Sequence, residues 1–322
     1  MQYPENLVLK VNEFYHNVLG KEYDKKHFLA FEVEFNRWKN VGINYISKRN
    51  EKIKVLDIGT GTGFVPLVIG RYLKSEDIFI CSDISANMLD ICRRKVSKKK
   101  FNCHFDYIKL DGQKIDLESN QFDFITLNSV LHHIPDIFPF FREVNRLLKI
   151  GGILIMGHEP NKNFVRNRFL FNNYRLTSLI FQRKRIIPTI LRKLGLKSLS
   201  EKLNLKFKTQ DTSYDMIIDK TNDELIKNNV IEKPLSMTQI CEIIDIHSPT
   251  AAGYHLDRGI DMSTMLTKHL KNFKIEHLDI YHHLGKASTI NRFTIWYDSI
   301  LKKIFKEQGS TFFIILKKIK NS

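Results

Sequence analysis

The residues best suited to chemistry in this chain are a glycine-rich loop and the acids spaced after it. VLDIGTGTG, Val55 to Gly63, runs from an apolar stretch into glycines at 59, 61 and 63. Such glycines let the chain turn sharply and let a ligand lie against bare main chain, where a Cβ would collide. A dinucleotide fingerprint would read G-x-G-x-x-G, but position 64 is Phe64 and the spacing is D-x-G-x-G-x-G. Asp83 closes the next apolar run, 20 residues beyond Gly63. A carboxylate there can accept both ribose hydroxyls of a nucleoside lying across strand ends, although nicotinamide enzymes place an acid there too. Asp111, in KLDGQKID, is placed to receive an adenine amino group, and KIGGILIM supplies a Gly-Gly turn before a further strand. The set points to an adenine-containing cofactor.

Four groups that could handle a proton follow the fourth and fifth apolar runs. His132 and His133 stand in NSVLHHIPD, and His158 and Glu159 in MGHEPN. The C-terminal ends of strands are the edge where open α/β sheets bind ligands, and an unperturbed imidazole has a pKa suited to taking a proton from a phenol or amine. His133, His132 and Glu159 are the candidate catalytic residues. Farther on, DIHSPTAAGYH (245–255) would suit a loop closing over a substrate, with His247 and His255 as possible contacts.

These residues need strands and helices to position them. From Lys52 onward short apolar runs alternate with helical patterns: KIKVLDIG, Val65 to Leu73, DIFICSDI, Ala86 to Val96, CHFDYIKL, FDFITLNSV, Ile137 to Lys149, and GGILIMGH. That alternation predicts a parallel sheet wrapped by helices. Ile137, Phe140, Phe141, Val144, Leu147 and Leu148 follow the spacing of one buried helix face, with Asp136 as cap and Gly151 as terminator. Residues 5–48 read as two helices, with Leu7, Val11, Phe14, Tyr15 and Val18 along the face of the first. A strand at 274–283, a helix from Ile290 to Phe305 and a last strand, STFFIILKK, end the chain. The expected organisation is an N-terminal helical lid (1–51), a core (52–160), a basic, largely helical insertion (161–265) and the C-terminal part of the core sheet (266–322).

Over 322 residues, 43% apolar content is enough for a substantial core, so disorder is not the expectation. Four scattered cysteines form no C-x-x-C pair and no metal-ligand spacing, which argues against a zinc site or disulfide framework and for a reducing, cytoplasmic compartment. The N-terminus lacks the basic and then apolar order of a signal peptide, and no apolar run is long enough to span a bilayer. The net charge of +16 is local: residues 161–208 hold 13 Lys or Arg against one acid, Glu201.

The order and spacing of the loop, Asp83, Asp111 and the Gly-Gly turn resemble the class I S-adenosylmethionine-dependent methyltransferases, in particular the group acting mainly on small molecules and lipids. The resemblance is close over Lys52 to His158. It implies a Rossmann-like sheet of seven mostly parallel strands with helices on both faces, in which TFFIIL is inserted antiparallel. It also implies S-adenosyl-L-methionine as cofactor. Asp57, Gly59, Thr60, Gly61 and Gly63 would then face the methionine part, Asp83 the ribose, and Asp111 with adjoining Gly112 the adenine. Ile84 and Met88 would pack on the adenine, and Asn128 would close the sulfonium side. FYHNVLGKEYDKKH resembles the N-terminal segment in which a Tyr-Asp pair folds over the cofactor, here Tyr23 and Asp24. The helix between the last two strands departs from the family's usual short hairpin.

Methyl transfer from a sulfonium is an in-line displacement that needs alignment, water exclusion and loss of a proton from the acceptor. The expected partner is a small-molecule or lipid-linked acceptor. Residues 164–196 mix Phe, Leu and Ile with Arg and Lys at nearly every turn, so the lid could lie on an anionic membrane surface, making the protein peripheral there. Two alternatives stand beside this reading. One is an RNA methyltransferase using the basic insertion, although the chain has no N-P-P-Y or D-P-P-Y after strand four; the actual residues are Asn128, Ser129, Val130 and Leu131. The other is a catalytically inactive relative that keeps the fold to bind a partner.

Overall fold

The computed structural model describes residues 3–111, 115–177, 211–289 and 292–320. Gly112 and most of the basic stretch, residues 178–210, lie outside the described residues.

Seven strands form one sheet: β1 (Lys54–Ile58), β2 (Ile78–Asp83), β3 (His104–Lys109), β4 (Phe122–Asn128), β5 (Leu148–Pro160), β6 (Phe273–Tyr281) and β7 (Thr311–Lys318). Their order is β3-β2-β1-β4-β5-β7-β6. The first five pair in parallel, and β7 slots antiparallel between β5 and β6. This is the Rossmann-like architecture expected from the alternation of strands and helices. β7 shows why its sequence reads as an unbroken apolar run. Phe312, Ile314 and Leu316 join the core under one face, while Phe313 and Ile315 join the core under the other.

The helices are α1 (Glu5–Leu19), α2 (Tyr23–Val41), α3 (Phe64–Ile69), α4 (Ala86–Ser97), α5 (Ile137–Leu147), α6 (Lys162–Arg166), α7 (Asp211–Lys227), α8 (Met237–Ile244) and α9 (Arg292–Ile304). α5 packs on one face of the sheet through Phe140, Phe141, Val144 and Leu147. Residues of α2, α3 and α4 cover the other. The Asp136 side chain caps α5 as expected, by accepting the Phe138 N–H. The helix ends at Leu147 rather than running on to Lys149, and Leu148 already begins β5. The buried Lys318 ammonium takes the carbonyls of Asn145 and Leu148, so the helix end is capped from β7 and Gly151 bends a strand instead of stopping a helix.

The N-terminal helices and the insertion pack together. Val8, Val11, Tyr15 and Leu19 of α1 form a cluster with Ile217 and Leu225 of α7 and Ile240 and Ile243 of α8. The deepest stripe of α1 is therefore turned from the predicted one, with Leu7, Phe14 and Val18 only partly buried beside it. Together α1, α7 and α8 form a cap over the C-terminal edge of the sheet. Among the described residues no helix is long and apolar enough to cross a membrane.

Candidate active site

The loop after β1 carries positive φ at Gly59, Gly61 and Gly63. A Cβ on Gly59 would stand 2.5 Å from Val130, and one on Gly63 would meet Cys92 Sγ at 2.9 Å, so these two glycines allow close packing of the loop. At Gly61 the nearest atom would be Tyr23 at 4.0 Å. Its bare face is open, and Tyr23 stands across the gap.

A cleft runs from this gap along the strand ends, lined by Gly59, Gly61, Asp83, Ile84, Met88 and Asp111, with Tyr23 and His133 closing it. Asp83 ends β2 with its Oδ2 accepting the Gly61 N–H at 2.8 Å and its Oδ1 accepting the Ser85 N–H at 2.8 Å. Each oxygen keeps capacity for a further hydrogen bond. Burial raises the Asp83 pKa, against the opposing pull of these N–H groups and of His16. Below the loop, Asp57 is enclosed. Its Oδ1 accepts the Thr126 hydroxyl at 2.6 Å, while Oδ2 has no hydrogen-bond partner among the described residues. Burial pushes its pKa up to about 7.

A second cavity, of about 530 Å³, opens beside the cleft under the helical cap. Aromatic and imidazole groups dominate its walls, among them Tyr15, Tyr23, Tyr214, His27 and His158. Lys26 also faces it. The Lys26 ammonium sits 4.4 Å over the Tyr214 ring with no hydrogen-bond partner among the described residues, and burial lowers its pKa. The two hollows share His16, Tyr23, Ser129 and His133. Ser129 and His158, just past β4 and near the end of β5, have φ of 62° and 58°. Left-handed backbone is uncommon for such residues and concentrates at functional sites.

The two adjacent imidazoles are held differently. His132 Nδ1 lies 2.8 Å from Glu159 Oε2. Burial alone would lower the His132 pKa, but the Glu159 carboxylate outweighs it and raises it. His133 Nδ1 lies 2.7 Å from the Ile244 carbonyl, which fixes Nδ1 as the protonated nitrogen and leaves Nε2 with a lone pair. Burial, together with the neighbouring imidazoles of His132 and His16, holds its pKa well below the usual histidine range.

A family model described as a methyltransferase domain matches residues 56–156. The ubiquinone/menaquinone biosynthesis C-methyltransferase UbiE of Agrobacterium fabrum is 28% identical over 147 residues, covering 45% of this chain and 56% of that protein. The demethylmenaquinone methyltransferase of Staphylococcus saprophyticus is 27% identical over 147 residues, covering 45% of this chain and 60% of that one. The chain thus spans little more than half the length of these relatives. A crystal structure of an S-adenosylmethionine-dependent methyltransferase from Mesorhizobium loti overlays with a TM-score of 0.45 at 12% identity, covering 87% of this chain and 95% of that one.

Residues 56–156 thus match a methyltransferase domain, for which S-adenosylmethionine is the implied cofactor.

The residues fit that cofactor at the open Gly61 face and the two-oxygen Asp83 carboxylate. Of the residues expected to bind it, Gly59, Gly61, Asp83, Ile84, Met88, Asp111 and, from the N-terminal lid, Tyr23 line the cleft. Four do not. Asp57 lies beneath the loop, Thr60 turns inward with its hydroxyl 4.0 Å from Cys92 Sγ, and Gly63 begins α3. Asn128 is the clearest correction: its Oδ1 accepts the Trp38 indole N–H at 2.8 Å, and Ser129 and Val130 take the place expected of it.

Glu159 is also corrected. It is fully buried, and its carboxylate accepts the N–H groups of Val130, Leu131 and His132 as well as bonding the His132 ring. With both oxygens occupied it positions the turn that carries the histidines and is not free to take a substrate proton. The 245–255 loop does line the cavity, through Asp245, Ser248 and Thr250 rather than its histidines. His247 instead bonds the Ile134 carbonyl, and His255 the Ala251 carbonyl. The sequence reading missed His16 and Ser129, which line both hollows, and Glu34, which lines neither but supports His158 from behind. Glu34 is buried on α2 and bonds the Tyr281 hydroxyl, with His158 Nδ1 at 3.3 Å. The signal for it was the Glu34–Arg37 pair, three residues apart on one helix face.

Proposed function

We propose that this protein transfers a methyl group from S-adenosylmethionine to a small-molecule or lipid-like acceptor bound in the 530 Å³ cavity. One observation carries the reading. The cleft that suits the cofactor and the cavity beside it meet at four shared residues, His16, Tyr23, Ser129 and His133, so a donor in one and an acceptor in the other would face each other there. The cofactor supplies a methyl group already activated on a sulfonium, and the protein supplies alignment and proton removal.

In this scheme Asp83 holds the ribose hydroxyls, and Met88 and Ile84 pack against the adenine. Tyr23 closes over the loop. His133, neutral and with Nε2 unprotonated, receives the acceptor's proton as the methyl transfers. The aromatic walls favour a flat acceptor, and Lys26 offers an unpaired cation to an oxygen on it. The quinone-related relatives support an aromatic, phenol-like acceptor.

Calorimetric titration with S-adenosylmethionine tests the cofactor half. Transfer of radiolabelled methyl to a panel of phenolic and lipid-linked acceptors tests the other. Binding of the cofactor with loss of that binding in Asp83→Ala is expected. A chain that takes up no S-adenosylmethionine would overturn the proposal.

A further inference from the structure

Helix α9 has more apolar surface than its packing uses. Thr294, Tyr297, Leu301 and Phe305 follow a helical stripe that faces the cluster of Phe164, Phe171 and Leu284. One buried stripe is what a helix packed on a domain needs. A second stripe runs along the outside: Phe293 is 66% exposed, Trp296 57% and Ile304 65%, with Ile295 at 53% beside them. Phe293 and Trp296 lie with ring centroids 5.7 Å apart, forming a patch rather than scattered residues. The patch continues onto the neighbouring helical residues 168–177, where Phe169 is exposed and approaches Phe305 at 5.6 Å.

The rim of this patch is cationic. Arg292, Lys303 and Lys306 are exposed at the two ends of α9, Lys302 there pairs with Asp279 of β6 at 2.8 Å, and Arg168 and Arg175 belong to the adjoining helical stretch. The one acid within α9, Asp298, is turned inward and accepts the Leu284 N–H and the Ser288 hydroxyl. Exposed Trp, Phe and Ile ringed by Lys and Arg is the composition of a helix lying in the headgroup region of an anionic bilayer. The same elements also wall the large cavity: Tyr174 comes from the 168–177 helix, and Gly285 and Thr289 from the turn that precedes α9.

We propose that the outer face of α9 docks on an anionic membrane surface, which sets the large cavity, walled in part by the 168–177 helix and the turn before α9, beside the lipid. This deepens the methyltransferase reading by making the acceptor membrane-resident, and the acceptor part rests on that reading. The docking itself does not.

Vesicles of phosphatidylcholine with and without phosphatidylglycerol supply the test. The full chain should float with phosphatidylglycerol vesicles at low salt, and partitioning should weaken as salt rises. Phe293→Ser/Trp296→Ser should reduce partitioning at least about tenfold while leaving S-adenosylmethionine affinity and the circular dichroism spectrum unchanged. The chain has two tryptophans, and Trp38 is fully buried, so a blue shift of emission on vesicle addition reports Trp296. Failure of the wild-type chain to float, or flotation of the double variant equal to wild type, would overturn the docking surface. Self-association that the double variant abolishes, without vesicle binding, would assign the face to a second copy of the chain instead. Loss of S-adenosylmethionine binding in a chain that still floats would sink the enzyme reading and leave the docking standing.

Discussion

Asp83 and Gly61 are joined by a 2.8 Å hydrogen bond from the glycine N–H to Oδ2, which ties the tip of the loop after β1 to the end of β2. The other carboxylate oxygen holds the Ser85 N–H at the start of α4. One side chain therefore sets the spacing between the bare main chain and the helix whose Met88 lines the cleft.

Replacing Asp83 by Asn keeps the size and removes the charge and half of the acceptor capacity. Losing a charge-assisted bond on this scale costs about 1.5–3 kcal/mol, or roughly ten- to a hundredfold in affinity. Calorimetry should show S-adenosylmethionine binding weakened by that factor. An Asp83→Asn chain with wild-type affinity would mean that the ribose is held elsewhere.

Asp57 predicts a pH dependence of stability. Its carboxyl is pushed up to about 7 from a reference of 3.8, because burial disfavours the charge more than the Thr126 hydroxyl stabilises it. The folded chain thus binds a proton more tightly than the unfolded one. The contribution is fully present below the unfolded value and is lost as pH rises through the folded value, so cofactor-free stability should fall between about pH 4 and 7 and then level off. The full change is on the order of 4 kcal/mol. Urea melts across that range should show the decline in the wild type and a much flatter profile in Asp57→Asn. Parallel profiles for the two would rule out the assignment.

The fold and the glycine loop were legible because their signals are local: alternation of runs along the sheet, and a fixed spacing from Asp57 to Asp83. Failures came where a distant group decides. Asn128 reads as a site residue until the Trp38 indole, 90 positions earlier, takes its amide oxygen. Glu159 reads as a base until the turn at 130–132 folds back onto it. Thr60 shows a different limit, since a loop motif names its residues without saying which side chains face inward. The cap follows the same logic. The pairing of α1 with α7 and α8 joins segments some 200 residues apart, and no periodicity within either announces it.

Asp24 makes Tyr23 a latch. Its carboxylate accepts the Thr62 hydroxyl at 2.5 Å and pairs with Lys95 at 2.6 Å, while Lys95 also bonds the Thr62 carbonyl. The start of α2 is thereby pinned to the glycine loop, and the cleft beneath holds only about 80 Å³. The cleft is continuous with the larger cavity, so Tyr23 at the start of α2 stands beside the path by which a cofactor would leave. Asp24→Ala should raise the dissociation rate of S-adenosylmethionine about tenfold in stopped-flow measurements, with a smaller change in the association rate. Unchanged dissociation would separate Tyr23 from cofactor retention.

His133 and His132 differ in what their rings can do, and the difference is testable. His132 is committed to Glu159 at Nδ1 and has Asp245 3.7 Å from Nε2, so it stands between two carboxylates. His133 gives Nδ1 to the Ile244 carbonyl and lines both cleft and cavity. A general base contributes roughly a hundred- to ten-thousandfold to a rate. His133→Ala should therefore lower methyl transfer by about that factor while S-adenosylmethionine affinity, measured by calorimetry, stays within about threefold of wild type. His133→Gln keeps a hydrogen-bonding side chain without a titratable nitrogen and should be as slow as the alanine variant. If His133→Gln restores the rate, the ring orients the acceptor through a hydrogen bond, and the proton leaves by another route.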